Sequence, residues 1–276
     1  MRSAAVLQLA NRVQRRLARS KSAVALAVLV RNQCSCIIKY HLAPSPDLAR
    51  SGELLLARMV APQSSTFVDV GANVGDWIAC CFALRPRDRR ALLFEPSRSA
   101  LEALARRFAG LADIEIVGAA VSDEPADMLF YEEAHAGQHA SLVAGCTERG
   151  AVERVVPATT LDGELEQRGW DRIDFLKIDA EGYDLRALKG AAGLFDRAKI
   201  GVVQFEYNKP WRQAGSTLAD ALAFFRQRAY HAFLLRHDGL FEFDYSRYGE
   251  YFEYSNFVAV APDVLPQLRP AVKGRV

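Results

Sequence analysis

Three carboxylates follow two apolar stretches that have the length of buried strands. Asp179 and Glu181 come directly after Ile173–Ile178, and Glu206 ends the stretch 200–206. Because the carboxyl ends of parallel strands meet at one edge of a sheet, we expect the three acids to lie together. They could act as a general base toward a hydroxyl or face a cationic ligand. Oxygen ligation of a divalent cation is a third interpretation, but no further ligand is specified, so we predict no metal site.

A glycine-containing turn follows an earlier apolar stretch. It has the sequence DVGANVGD and contributes Asp69, Gly71, Asn73 and Gly75. Glycine permits a sharp turn from strand to helix and a close approach of ligand to main chain. The spacing differs from the GxGxxG of dinucleotide-binding enzymes, and no GK[ST] phosphate loop is present. An acid before the turn would repel a pyrophosphate and suits the amino group of methionine, so the turn favours S-adenosyl-L-methionine over NAD.

Two further strand ends complete a predicted nucleoside site. Glu95 is placed where a carboxylate can accept hydrogen bonds from both ribose hydroxyls. A helix-dipole role for this acid is the alternative, since Pro96 follows it. Val121 is expected to pack on an adenine ring, and Ser122 or Asp123 to reach its amine. The same residues are also good turn formers.

These candidates require strands that alternate with helices, and the sequence provides that pattern from residue 66 onwards. The predicted fold is α/β, with a Rossmann-like, mostly parallel sheet of the class I methyltransferase type and helices on both faces. His237-Asp238-Gly239 between two apolar stretches predicts a C-terminal antiparallel hairpin. We assign this domain to residues 61–265 and predict a C-terminal tail at 266–276.

An insertion at about 124–160 interrupts the alternation. Two strand-like stretches, 128–131 and 154–157, flank a loop that contains glycine and histidine. The pattern predicts a hairpin-like extension above the sheet. His135 and His139 lie on this loop and are candidate bases, although a lone loop histidine is more often simply exposed.

The first 60 residues form a predicted basic helical segment. Eight basic residues precede the first acid, Asp47, whereas the whole chain has a net charge of only +2. Apolar residues at helical spacing, with arginines between them, predict an amphipathic helix over 4–31. A second helix is predicted at 51–61. The first helix either packs with a solvated basic face or binds a lipid surface or another anionic partner.

The composition and the length of the apolar stretches indicate the cellular location of the protein. Half of the residues are hydrophobic and a quarter are charged, the balance of a soluble globular protein. The apolar run 22–30 is shorter than the ~20 residues of a membrane span. A signal peptide is a weaker alternative, because no clear small-residue cleavage site follows. The five cysteines match no zinc or redox spacing. We expect a cytoplasmic protein, with peripheral membrane contact through residues 1–40 as the alternative.

The assembled motifs resemble the FkbM family of methyltransferases. The matching stretches are 67–75 (FVDVGANVG), 94–96 (FEP), 120–123 (AVSD), 160–162 (TLD) and 173–184 (IDFLKIDAEGYD). The resemblance implies a class I methyltransferase fold and, usually, O-methylation of a sugar or polyketide hydroxyl. It implies cofactor contacts and active-site roles at these positions: Asp69, Gly71, Asn73, Glu95, Asp179 and Glu181.

The sequence therefore predicts a methyltransferase that uses S-adenosyl-L-methionine and acts on a hydroxyl of a saccharide or another small-molecule acceptor. A nicotinamide-dependent oxidoreductase is the first alternative, and the glycine spacing and Asp69 argue against it. A non-catalytic binding module with a basic N-terminal anchor is the second. Because the basic residues cluster in one helix and not around the predicted pocket, we expect no nucleic-acid partner.

Overall fold

The computed structural model describes residues 11–42, 47, 50–132, 142–143 and 152–276. The chain divides into two compact units, Met1–Pro44 and Ser45–Val276. The boundary lies earlier than the predicted one at residue 60, so the helix that follows Gly52 belongs to the second unit. His135 and His139 lie outside the described residues.

The described part of the first unit, residues 11–42, contains two helical stretches. Residues 11–17 are helical, a turn follows at 18–19, and helix α1 spans Lys21–Leu42. The Ser20 hydroxyl accepts a hydrogen bond from the backbone N–H of Ala23 at 3.3 Å, which satisfies one donor at the helix start. The predicted end at residue 31 was wrong: the helical backbone continues through the polar residues Asn32 and Gln33 to a second group of apolar residues, Ile37 and Ile38, and ends at Leu42. The predicted residues 4–10 lie outside the description.

Within the described ranges, the second unit contains twelve strands, ten α-helices and two short 3₁₀ helices, Ala61–Gln63 and Arg269–Ala271. The strands are β1 (Thr66–Val70), β2 (Arg90–Phe94), β3 (Ile114–Val117), β4 (Ala120–Val121), β5 (Ala126–Glu132), β6 (Val152–Thr159), β7 (Ile173–Ile178), β8 (Ile200–Tyr207), β9 (His231–Arg236), β10 (Gly239–Glu242), β11 (Ser255–Val260) and β12 (Val272–Arg275). The helices are α2 (Glu53–Val60), α3 (Asp76–Leu84), α4 (Arg98–Arg107), α5 (Leu161–Arg168), α6 (Asp184–Lys189), α7 (Ala192–Asp196), α8 (Lys209–Gln213), α9 (Leu218–Gln227), α10 (Tyr245–Tyr248) and α11 (Leu265–Leu268).

Nine strands form the main sheet in the order β12-β10-β9-β11-β8-β7-β1-β2-β3. The pairs from β8 to β3 are parallel, whereas β11 runs antiparallel to both β8 and β9. The predicted mixed α/β fold is confirmed, and β9 and β10 form the expected antiparallel hairpin. Residues 266–276 are not a free tail, because β12 pairs with β10 at the edge of the sheet.

The insertion forms a second, three-stranded sheet. Strands β5 and β6 pair antiparallel over seven residues each, and β4 adds to β6 in parallel, which gives the order β4-β6-β5. The predicted hairpin is therefore present, with both strands longer than their apolar stretches indicated.

Helices cover both faces of the main sheet, which explains why its central strands are apolar throughout. On one face, Trp77 of α3 packs edge-on against Phe67 and Phe175, with ring centroids 6.5 and 4.9 Å away. On the other, Phe225 of α9 stacks on Phe205 of β8 at 5.4 Å. The buried strands end at one edge of the sheet, where the predicted site residues lie.

Candidate active site

A cavity of about 810 Å³ opens at the carboxyl ends of the parallel strands. Its volume lies within the range of small-molecule and cofactor sites. Seven predicted site residues line it: Asp69, Gly71, Asn73, Glu95, Val121, Asp179 and Glu181. Four others do not line it: Gly75, Ser122, Asp123 and Glu206.

Asp69 is the most unusual group in the cavity. Strand β1 places it one residue before its end, and its side chain is only 1% exposed. Among the described residues, neither of its carboxylate oxygens has a hydrogen-bond partner. Burial raises the pKa of Asp69 to about 7, although the charge of Lys177 opposes that shift. A buried carboxylate without partners is costly, so this position suits a ligand that brings a positive charge or hydrogen-bond donors.

The turn after β1 depends on Gly71. Its φ is +78°, and a Cβ atom there would come within 2.0 Å of the main-chain oxygen of Asp179. Glycine therefore lets the loops after β1 and β7 touch. Asn73, also at a positive φ of +48°, donates its backbone N–H to Glu95 Oε2 at 2.7 Å. Gly75 precedes α3 and lies against the ring of Phe108 instead of the cavity.

Glu95 is held from two sides. Its Oε1 accepts the backbone N–H of Ser97 at 2.8 Å, while Oε2 accepts that of Asn73. Burial raises the pKa of Glu95 to about 7, and the two hydrogen bonds partly offset that rise. Each oxygen keeps a further lone pair that can accept a hydroxyl hydrogen. The carboxylate is thus fixed at the end of β2, as a ribose-binding group would be.

Of the three residues predicted to contact adenine, one lines the cavity and two do not. Val121 lines the cavity. The Ser122 hydroxyl instead donates to Asp123 Oδ1 at 2.9 Å, and Asp123 pairs with Arg186 at 3.6 Å. The turn interpretation therefore describes Ser122 and Asp123 well, and an amine contact by either stays a prediction.

The insertion contributes an apolar wall to the same cavity. Phe130 of β5 lines it, together with Leu142. Glu132, at the end of β5, accepts hydrogen bonds from the hydroxyls of Ser97 and Ser99 at 2.6 and 3.1 Å. Burial would raise the pKa of Glu132, but these hydrogen bonds outweigh it and lower that pKa. An ionised Glu132 therefore ties the hairpin to the start of α4, next to Glu95.

A buried lysine lies among the acids at the end of β7. Lys177 Nζ donates to Asp179 Oδ2 at 2.9 Å. Burial alone would lower the pKa of Lys177, but the charges of Asp179, Asp69 and Glu53 raise it well above the ordinary value. Lys177 is therefore charged and holds Asp179 in place.

Glu53 is a cavity residue that sequence reasoning missed. It is the first residue of α2, and its Oε1 accepts hydrogen bonds from the Ser51 hydroxyl and from Asn256 Nδ2, both at 3.2 Å. An acid in a first helical turn resembles an ordinary response to the helix dipole. No local signal indicates that the helix would reach the cavity.

Glu181 and Glu206 meet through an asparagine. Asn208 Nδ2 donates to Glu206 Oε1 at 2.6 Å and to Glu181 Oε2 at 3.3 Å. Burial raises the pKa of Glu181 to about 7, and the charge of Asp179 adds to that rise. Burial also raises the pKa of Glu206 well above its ordinary value. The structure thus brings the three predicted catalytic acids to one edge, with Glu206 behind Glu181. Within the described parts of the chain, no group of three or more His, Cys, Asp and Glu side chains could hold a metal ion.

Fold and cavity together define a class of protein: a Rossmann-like α/β protein whose ligand site lies at the carboxyl ends of its parallel strands. Residues 69–232, more than half of the chain, match the methyltransferase FkbM domain. The chain therefore belongs to the FkbM methyltransferase family, as the motifs predicted. A search of curated proteins found no match.

Several solved structures are similar to this chain at low identity. The FkbM methyltransferase from Methylobacillus flagellatus KT is 19% identical, with a TM-score of 0.46; the match covers 71% of this chain and 43% of that one, so this chain spans less than half of that protein. An rRNA methylase from Streptococcus thermophilus is 12% identical, with a TM-score of 0.42 and coverage of 75% and 94%. The O-methyltransferase from Bacillus cereus, solved in complex with SAH, is 11% identical, with a TM-score of 0.39 and coverage of 83% and 87%.

Proposed function

We propose that this chain is a methyltransferase dependent on S-adenosyl-L-methionine and that it methylates a hydroxyl of a saccharide or another small-molecule acceptor. The observation that carries the proposal is Asp69, a buried carboxylate with no hydrogen-bond partner among the described residues, in a cavity at the strand ends. Membership of the FkbM family supports methyl transfer and argues against the alternative that the chain is a nicotinamide-dependent oxidoreductase.

The residues present fit this cofactor. Asp69 would accept hydrogen bonds from the amino group of the methionine part of the cofactor. These bonds would remove the free-energy cost of burying two carboxylate oxygens without partners. Glu95, fixed by two backbone donors, would accept the ribose hydroxyls. Val121 and Phe130 offer apolar surface for the adenine ring. When bound, the cofactor supplies an electrophilic methyl group on a sulfonium.

The chain's own residues position the acceptor and remove its proton. A base serves best when its pKa lies close to the working pH. Glu181 meets that condition with a pKa of about 7, and Asn208 restrains its carboxylate. We therefore assign the proton-accepting role to Glu181. Asp179, paired with Lys177, contributes a fixed negative charge beside it.

The acceptor class rests on two arguments. The FkbM resemblance favours hydroxyls of sugars and related compounds. In addition, many of the charged groups that line the cavity are acids, among them Glu53, Asp69, Glu95, Asp179 and Glu181. Such a surface would repel the phosphates on which nucleic-acid affinity depends, so a small neutral acceptor fits better than RNA or DNA.

Calorimetry with S-adenosylhomocysteine and S-adenosylmethionine tests the cofactor. We expect the wild type to bind both, and Asp69→Asn to weaken binding of both roughly 10- to 100-fold, the effect of losing a hydrogen bond to a charged group. Asp171→Asn, at an exposed position outside the cavity, is the matched control and should bind as the wild type does. Saturation by NADH or ATP without binding of either sulfur nucleoside would overturn the proposal.

Mass spectrometry of cell extracts incubated with the enzyme and isotope-labelled cofactor tests the acceptor. A labelled saccharide or small molecule is the expected product. A labelled RNA or protein would refute the acceptor class while leaving methyl transfer intact. Cofactor binding with no labelled product in extracts rich in glycans would favour the non-catalytic binding module.

A further inference from the structure

Helix α1 exposes an unusual amount of apolar surface. Large apolar side chains that are at least two-fifths exposed occur along its whole length: Val24, Leu26, Val28, Leu29, Val30, Ile37, Ile38 and Tyr40. Residues 23–30 are uninterrupted apolar residues, so they cover every side of two helical turns. Contiguous apolar surface of this kind marks a site of interaction with protein or membrane.

The dimensions of α1 match a lipid bilayer. Its 22 residues extend for about 33 Å at the rise of an α-helix, and the hydrocarbon core of a bilayer is about 30 Å thick. Of the helices in the described ranges, α1 is long and apolar enough by composition to cross a membrane, and the apolar stretch that meets this test has none of its residues buried. The apolar run 22–30 alone is too short to cross a bilayer, as expected from the sequence. The helix continues to Leu42, however, and the whole helix is long enough.

The charge next to α1 selects the kind of membrane. Five exposed basic residues precede or begin the helix: Arg12, Arg15, Arg16, Arg19 and Lys21. No acid occurs before Asp47, so nothing within this stretch neutralises them. A basic segment beside an apolar helix complements anionic head groups, with about 1 kcal/mol gained for each basic residue near the surface.

We propose that α1 inserts into an anionic lipid bilayer and that residues 11–21, the basic segment, bind its head groups. Arg31 makes the largest unfavourable contribution to the free energy of insertion. A charged arginine at the centre of a bilayer is unfavourable by about 2.5–3.5 kcal/mol on insertion scales. The long arginine stem lets the charged end reach toward polar surroundings. This proposal is independent of the chemistry in the cavity.

Vesicle flotation of the full chain tests the proposal. We expect the protein to float with vesicles of phosphatidylcholine and phosphatidylglycerol, and far less with phosphatidylcholine alone. Leu26→Asp combined with Leu29→Asp should abolish flotation, whereas Leu111→Asp, at an exposed apolar position of the second unit, should not change it. Arg15→Glu combined with Arg16→Glu should weaken binding at least about tenfold, and Arg226→Glu on α9 should have little effect.

Three results would overturn the proposal. The first is a wild-type chain that does not float although its circular dichroism shows it to be folded. The second is self-association through α1 without vesicles, detected by sedimentation and lost in the Leu26→Asp and Leu29→Asp variant, together with absent flotation. The third is removal of α1 from the mature protein in cells, shown by N-terminal sequencing, which would make it an export signal. None of these outcomes bears on cofactor binding, so the two proposals fail separately.

Discussion

Glu95 and Glu181 differ from ordinary surface carboxylates in one respect: burial holds the pKa of each at about 7. A group with that pKa changes charge near neutral pH. Glu95 has a backbone donor on each oxygen, whereas Glu181 is held by the side chain of Asn208. We assign the proton-accepting role to Glu181, and its raised pKa is the basis for a pH-dependent test.

Replacing Glu181 by Gln should lower kcat by roughly 10²- to 10⁴-fold, the usual contribution of a general base. Because a base must be ionised to work, the wild-type kcat should rise with pH through about 7, and this rise should be lost in the variant. Steady-state kinetics on the acceptor identified by labelling measures both effects. Glu242→Gln, at an exposed position on β10, is the control. An unchanged kcat in the Glu181 variant would assign the base elsewhere.

Gly71 provides a test of how closely two loops must approach. In Gly71→Ala, a left-handed φ costs about 1–2 kcal/mol, and the new methyl group would also collide with the main-chain oxygen of Asp179. Gly110→Ala is a matched control, because Gly110 has a φ of +81° but nothing within 4 Å of a Cβ. We expect urea unfolding to show a clearly larger loss for Gly71→Ala. Equal losses would mean that the contact between the loops is easily relaxed.

At the residue scale, the sequence was informative where chemistry follows a strand end. Asp69, Glu95 and Asp179 reach the cavity because parallel strands deliver their carboxyl ends to one edge. Glu53 could not be predicted, since its position depends on how α2 packs and not on its neighbours in sequence. Ser122 shows the converse. It follows a strand end, as a residue that contacts adenine would, but its hydroxyl donates a hydrogen bond to Asp123.

At the element scale, polar contacts of Glu132 hold the hairpin of β5 and β6 beside the cavity. Glu132 accepts two hydroxyl hydrogens from the start of α4 and pairs with Arg154 of β6 at 3.4 Å. The hairpin carries Phe130, so its position determines one wall of the cavity. Cofactor affinity should therefore depend on Glu132, although we assign it no contact with ligand.

Replacing Glu132 by Gln should raise the KM for the cofactor several-fold and leave kcat nearly unchanged, because a loosened wall affects binding more than the proton transfer. Hydrogen exchange should be faster in β5 and β6 of this variant. Glu153→Gln, an exposed position on the same hairpin, controls for the loss of a surface charge. A parallel fall in kcat, or exchange rates equal to wild type, would contradict the positioning role.

Elements that depend on local pattern were predictable, and elements that depend on long-range pairing were not. Strands β1 to β3 and β5 to β8 were recognisable by their apolar stretches, whereas β4 was predicted as a continuation of β3 and belongs to a different sheet. The place of β11 between β8 and β9, however, follows from which edges meet in three dimensions. Strand β12 was likewise missed, because KGR in its sequence carries no apolar alternation. The extension of α1 beyond Arg31 was also missed, because Arg31, Asn32 and Gln33 interrupt the apolar pattern although the helical backbone continues through them.

At the scale of the whole molecule, the buried acids couple stability to pH. The pKa values of Asp69, Glu95 and Glu181 are raised to about 7, and that of Asp184 to about 8. With folded-state values above those of the unfolded chain, the folded state binds more protons between about pH 4 and 8. Stability must therefore fall as pH rises through this window.

The unliganded protein should accordingly have a lower Tm at pH 8 than at pH 6, by at least roughly 2–4 °C, the shift that 1 kcal/mol produces in a domain of this size. A cationic cofactor offsets the repulsion, so its stabilising effect should be larger at pH 8. Thermal unfolding at constant ionic strength, with and without S-adenosylmethionine, measures both. A Tm that rises from pH 6 to pH 8 would show that the acids are solvated.

The insertion of β11 into the middle of the sheet has a consequence for synthesis. Residues 255–260 pair with β8 on one side and β9 on the other, yet the ribosome makes them after both of those strands. Until they emerge, each neighbour presents a row of unsatisfied main-chain groups, the kind of edge that joins other chains. A nascent chain that stalls before Ser255 is thus a natural target for chaperones. In the finished chain, β11 pairs with both β8 and β9 and satisfies these main-chain groups.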